Sequence, residues 1–241
     1  MSAVPCWAAG IGIGLQIAYP LTSGPALDAI TLLSILAFLI AVTTALVQAC
    51  GLRAGGGCVL LILLAGWGIE AAGVHTGWPF GRYEYTSDLG GTIASVPLVV
   101  PAAWAAMAPI GLLVGRKLGA NRLHTALIGA AFLTSWDVFL DPQMVADGRW
   151  HWIDPGTAFP GVPGIPLSNF AGWLIVSVLI VAAIDRILPP VHAPVADAIL
   201  YWTYFSQLLG ALVFFGRPSV ALVGGIAMGA VVLPYLRRAI R

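Results

Sequence analysis

The chain has 241 residues, 59% hydrophobic and 9% charged, with a formal net charge of +1 and a mean hydropathy of +0.94. A soluble domain carries about a quarter charged residues, so this composition cannot cover a water-facing surface. It also leaves no basic field for nucleic acid and no acidic tail. In chain order, apolar runs long enough to cross a bilayer fall at roughly 4–22, 27–50, 57–76, 93–115, 122–142, 166–188, 196–215 and 219–237. The expectation is an all-α polytopic membrane bundle of about eight transmembrane helices, forming a single integral domain over residues 1–241. The opening stretch, Met1 to Gly14, has no Lys or Arg. It reads as a retained first helix rather than a cleavable signal peptide. Pro97, Pro101 and Pro109 fall in the fourth run, which is expected to be kinked or partly unwound. The long connections, about 77–92 and 143–165, are rich in Gly, Pro and aromatic residues. Cys6, Cys50 and Cys58 have no CxxC or Cys/His metal spacing and read as small apolar residues.

Cation placement tests the count, because hydropathy ignores it. With eight spans, one side holds Arg53, Arg116, Lys117, Arg122, Arg186, Arg237, Arg238 and Arg241, eight of the eleven cations. The other side holds Arg82, Arg149 and Arg217, with Glu84, Asp88, Asp147 and Asp154. The bias predicts that both termini are cytoplasmic.

An ionisable side chain in hydrocarbon is costly unless it is paired, neutralised or facing a polar cavity. Glu70, late in the third run, and Asp137 and Asp141, late in the fifth, are expected at one depth toward the outer side. Spacing of four puts the two aspartates on one helix face, and Ser168 and Asn169 open the sixth run at the same level. The structural alternatives are that Asp141, before Pro142, ends a helix in hydrated surroundings, and that Glu70 ties to Arg82 or Arg149. The clustering favours a functional site. Two carboxyls one turn apart in a dry place cannot both ionise cheaply, so one is expected to keep its proton. Such an acid against an apolar cavity can protonate a carbon–carbon double bond. Trp67, Trp78, Phe80, Tyr83, Tyr85, Trp104, Trp136, Trp150, Trp152, Phe170 and Trp173 supply ring faces that stabilise a cation. About half of these read as an interfacial belt, Trp150-His151-Trp152 above all.

Other chemistries find less support. There is no nucleophile elbow, HExxH, P-loop or GxGxxG. His75, His124, His151 and His192 are scattered over both sides, against a haem or di-iron centre, and no metal site is expected. Lys117, the single lysine, falls in a cytoplasmic loop, away from any retinal Schiff base inside the bundle. Asp137-Val-Phe-Leu-Asp141 is not the paired DDxxD of a Mg²⁺-dependent prenyl transferase.

Several segments in a fixed order resemble the membrane carotenoid hydratase family. They are Glu70 through Tyr85 (EAAGVHTGWPFGRYEY), Val96-Pro97 through Trp104, Trp136 through Met144 (WDVFLDPQM), Gly148 through Trp152, and Gly164 through Trp173. The match covers about residues 66 to 173; the first two and last two helices match in hydrophobic character alone. That family includes γ-carotene and lycopene 1,2-hydratases and the bisanhydrobacterioruberin hydratase of haloarchaea. The resemblance implies a cofactor-independent hydro-lyase adding water across the terminal C1–C2 double bond of an acyclic carotenoid end. It further implies a multi-pass protein of a bacterial or archaeal cytoplasmic membrane, with neighbouring carotenoid enzymes as candidate partners. The site assignments come from the residues themselves: Asp137 or Asp141 as proton donor, Asp137 preferred, with Glu70 as the third catalytic carboxyl. Trp104, Trp136, Tyr83, Tyr85, Phe80, Asn169 and Trp173 are expected to bind the substrate. The competing readings are a carotenoid isomerase or cyclase, which would exclude water, and a non-enzymatic carotenoid binder or transporter.

Overall fold

The computed structural model describes residues 2–86 and 89–240, with the side chains of 239 and 240 left out. Met1, Asp88 and Arg241, which entered the topology argument, lie outside the described residues. The fold is mostly helical. Its helices are α1 Val4–Ala18, α2 Pro25–Gly51, α3 Gly57–Thr76, α4 Val99–Leu118, α5 Arg122–Ala146, α6 Leu167–Ile187, α7 Pro194–Leu209 and α8 Pro218–Ile240. Proline opens α2, α7 and α8, where its missing N–H costs nothing and its fixed φ suits the first turn. Asn121 Oδ1 accepts from His124 N at 2.9 Å and caps α5. Gly77, at φ +76°, ends α3 in the left-handed conformation that glycine adopts freely.

Among the described residues, six helical runs are long and apolar enough to cross a membrane, making this a multi-pass membrane protein. One of them is the 52-residue run Pro25–Thr76, which merges α2 and α3 through a π-helical turn at Leu52–Gly56. This run is bent back on itself. A β-carbon placed on Gly55 would stand 2.7 Å from the carbonyl carbon of Leu46, a residue that a straight helix would hold about 13 Å away. Gly51, at φ +82°, makes the turn.

The fourth run begins later than its hydropathy predicts, because Thr92–Ile93 (β2) and Val96–Pro97 (β3) form a small antiparallel ribbon before α4. Ala94 and Ser95 turn it at positive φ. Pro101 therefore falls in the first turn of α4 and Pro109 inside it. The helix is unbroken over Val99–Leu118, which corrects the expected unwinding. It is also the centre of the bundle: 78% of its apolar stretch is buried, against 22% for α1 at the periphery. Small residues allow the close approach. Gly115 lies so near the Thr125 carbonyl, and Gly129 so near that of Gly111, that a β-carbon at either position would collide with backbone.

The two long connections are structured, which amends the all-α expectation. Tyr83–Tyr85 (β1) pairs antiparallel with Trp150–Trp152 (β4) in the register Tyr83↔Trp152, Glu84↔His151 and Tyr85↔Trp150. Ala158–Phe159 (β5) pairs with Val162–Pro166 (β6). Strand alternation turns the four aromatics of β1 and β4 to one face and exposes Glu84 and His151 on the other.

Candidate functional site

Helix α5 does not stop at Pro142 but continues to Ala146, and this decides the fate of Asp141. The carboxyl is 3% exposed and Asp137 is fully buried, which removes the hydrated helix-end alternative. Asn169, on the first turn of α6, uses both hydrogens of its amide. Nδ2 donates to Asp137 Oδ2 at 2.9 Å and to Asp141 Oδ2 at 2.5 Å. The two carboxyls thus share a single amide donor. Asp137 Oδ1 has no partner among the described residues.

Glu70 of α3 is 4% exposed. Tyr83 Oη donates to its Oε2 at 2.6 Å and Tyr85 Oη to the same oxygen at 2.7 Å, while Trp104 Nε1 of α4 donates to Oε1 at 3.2 Å. Burial first, and the neighbouring Glu70 second, push both phenols far above their ordinary range, so they keep their protons and donate them. The suggested tie from Glu70 to Arg82 or Arg149 is not formed. Arg149 is buried and pairs with Asp28 at the start of α2, at 2.6 Å.

Glu70, Asp141 and Asn169 open onto one cavity of about 290 Å³ whose lining is mainly apolar. The expected binding residues Phe80, Tyr83, Tyr85, Trp104, Trp136 and Trp173 all line it. Trp104 and Trp173 stack at 4.1 Å and 13°, and Trp136 meets Trp173 edge-on at 6.1 Å. Tyr83 and Tyr85 meet edge-on at 5.4 Å. Asp137 does not line the cavity; it sits behind Asp141 and Asn169. Ser168 is exposed and takes no part, and Trp78, 64% exposed, faces outward.

Trp150 and Trp152 correct the belt assignment. Both line the cavity; Trp150 Nε1 donates to Asp141 Oδ1 at 3.1 Å and Trp152 Nε1 to the Phe80 carbonyl at 3.0 Å. The alternation Trp-His-Trp was the available signal, since a strand places its first and third side chains together. Sequence reasoning also missed the far end of the cavity, where Gln16 and Tyr19 near the end of α1, Ser34 of α2 and Trp202 of α7 contribute. Beside it, Arg217 Nη1 donates to Gln143 Oε1 at 2.5 Å, Gln143 Nε2 donates to Asp147 at 3.0 Å, and Tyr19 donates to Asp147 as well.

A buried acid pair, a third carboxyl fed by neutral donors, and stacked ring faces around apolar space together suit proton transfer to a hydrocarbon. Bisanhydrobacterioruberin hydratase of Haloarcula japonica is 32% identical over an alignment of 128 positions that covers 51% of this chain and 42% of that relative. The matched stretch thus spans less than half of the relative's length. No solved structure matches the chain significantly. The family model described as carotenoid biosynthesis protein matches residues 30–228, from α2 into α8 and across the whole acid cluster. The chain belongs to that family of carotenoid biosynthesis proteins.

Proposed function

We propose that the protein adds water across the terminal C1–C2 double bond of an acyclic carotenoid end held in this cavity. The observation that carries the reading is that two carboxyls, Glu70 and Asp141, face one aromatic-walled apolar cavity. The family and the similarity to a protein named as a hydratase support the carotenoid substrate and the hydration chemistry.

Asp141 is the proton donor in this mechanism, because it faces the cavity while Asp137 stands behind it. The π pair of the alkene takes the Asp141 proton at C2, its O–H bond breaks, and positive charge remains at C1, the more substituted carbon. Asp137 then passes its proton forward. The ring faces of Trp104, Trp173 and Tyr83 stabilise the cation by about 1–2 kcal/mol each in a dry site. Glu70, accepting from three donors, orients a water against C1 and takes its proton as the C–O bond forms. That proton returns to the aspartate pair and resets the site. Alkene and water give a tertiary alcohol, with no other reactant required.

In the same reading all eight helices among the described residues cross the membrane as one domain, with both termini in the cytoplasm of a bacterium or archaeon. The backward turn at Gly51–Gly56 supports counting α2 and α3 separately. Helix α7 has 16 residues and the π-helical turn after it, Gly210–Phe214, has five, together 21 residues, enough to span the hydrocarbon layer.

Expression in a host that accumulates an acyclic carotenoid tests the assignment. The pigment should gain the mass of one water for each end that reacts. An isomeric or cyclised product of unchanged mass would move the enzyme to another reaction class, and an unaltered pigment would leave it a binder.

A further inference from the structure

The residues that line the cavity divide sharply by exposure. Most are buried or half-buried. Among the described residues, the exposed ones are Ile17 at 55%, Leu209 at 38% and Phe214 at 49%. All three are apolar, and all three sit where the end of α1 faces the end of α7 and its π-helical turn, Gly210–Phe214. The cavity therefore communicates with the outside through a gap whose exposed lining residues carry no charge; the nearest charges, Asp147 and Arg217, stand against Tyr19 and Phe215 on one side of it. An exposed apolar patch of this kind marks a surface that meets lipid or another apolar partner.

Two contacts frame this gap. Trp202 Nε1 of α7 donates to Gln16 Oε1 of α1 at 2.6 Å on one side. The Tyr19 ring meets the Phe215 ring edge-on at 6.2 Å on the other. Ile17 lies between these anchors in sequence. Gly210, buried in the lining, leaves space there that a side chain would close, since a β-carbon would come within 2.9 Å of the Phe215 ring. A π-helical turn widens the helix at this point, a distortion that recurs at functional sites.

We infer that the gap between α1 and the π-helical turn of α7 is a lateral door, through which one end of an acyclic carotenoid enters while its polyene stays in the membrane. This rests on the hydratase reading for the identity of the occupant. The cavity, at about 290 Å³, lies at the lower edge of the size usual for small-ligand sites, which suits an end group better than a whole carotenoid. Such a door binds one end at a time. A substrate with two identical ends would have to leave and turn round before its second end could react.

The test uses the full-length protein in lipid vesicles containing lycopene as the probe, with a photoactivatable benzophenone residue introduced singly at Ile17, Leu209 or Phe214. Control positions are Leu64 and Leu179, equally apolar and exposed at 60% and 65% but on other helices. The door predicts carotenoid adducts at the first three positions at least fivefold above the controls. Equal labelling everywhere, or labelling at the controls alone, would overturn it. This readout needs no turnover, so a protein that labels at the door but never hydrates lycopene would sink the proposed reaction and leave the door standing. As a second arm, Ile17→Trp with Leu209→Trp should cut turnover at least tenfold, whereas Leu64→Trp with Leu179→Trp should leave it unchanged. Full activity in the door variant would also overturn the proposal.

Discussion

Trp150 Nε1 donates to Asp141 Oδ1 at 3.1 Å, so a strand of the long connection after α5 reaches back and holds a carboxyl of that same helix. The other oxygen of Asp141 is held by Asn169, and the carboxyl is thereby fixed in the cavity wall. Trp150→Phe keeps an aromatic ring against Tyr85, now 5.7 Å away and edge-on, while removing the donor. A hydrogen bond of this type contributes about 1.5 kcal/mol. The variant should therefore lose about tenfold in turnover, with normal amounts of protein in the membrane. Unchanged product formation would reduce the indole to a wall of the cavity.

The two aspartates should not respond alike. Asp141→Asn removes the group that faces the substrate and should lower hydration by about 10²–10⁴-fold, the range of a lost general acid. Asp137→Asn leaves Asp141 in place and deprives it only of the carboxyl behind, so its loss should be the smaller one. Product formation by both variants in membranes gives the ranking. If Asp137→Asn were the more damaging, Asp137 would become the donor.

The acids were legible in the sequence because lipid makes every buried carboxyl conspicuous, and spacing of four on one helix sufficed to pair Asp137 with Asp141. Asn169 was legible for a similar reason, as a polar residue at the start of an otherwise apolar run. Hydropathy could not tell which aspartate faces the cavity, since that depends on how α5 rotates against α6. It also misjudged Trp150 and Trp152, because an interfacial belt and a cavity-lining strand have the same composition and differ only in pairing with Tyr83 and Tyr85. The wall contributed by Gln16, Tyr19 and Trp202 joins elements nearly 190 residues apart, as the Trp202–Gln16 bond shows, and no local pattern announces such a contact. The start of α4 was displaced because Val96-Pro97 is as apolar as the helix it precedes.

Two glycines hold the connection after α3 against the bundle. A β-carbon on Gly172 of α6 would stand 2.9 Å from both the Pro79 carbonyl oxygen and the Phe80 ring, and one on Gly73 of α3 would stand 2.7 Å from Tyr83 Oη. Gly172→Val should force the connection outward at a cost of about 1–3 kcal/mol, the usual penalty for overpacking. Gly73→Ala acts more locally, moving the Tyr83 hydroxyl off Glu70. Thermal unfolding in detergent should separate them, with Gly172→Val markedly less stable and Gly73→Ala nearer the parent but slower in turnover. Parental stability in Gly172→Val would mean that the connection packs less closely than its contacts with α6 indicate.

Tyr83 also makes a prediction about alkaline stability. Its phenol, buried and beside Glu70, holds its proton far more tightly in the folded protein than a phenol does in water. The unfolded chain releases that proton near pH 10 or so. Below this pH both states are protonated, and the contribution to stability is fully present. Above it the unfolded state binds fewer protons than the folded one, and stability falls as pH rises. Unfolding temperatures measured from about pH 9 to about pH 11 should therefore decline in the parent protein, and Tyr83→Phe should flatten the decline because it has no proton to release. Tyr85, raised for the same reasons, should retain part of the slope in that variant, so Tyr83→Phe with Tyr85→Phe should be flatter still. An identical slope in all three proteins would show that alkaline loss originates away from Glu70 and its phenols.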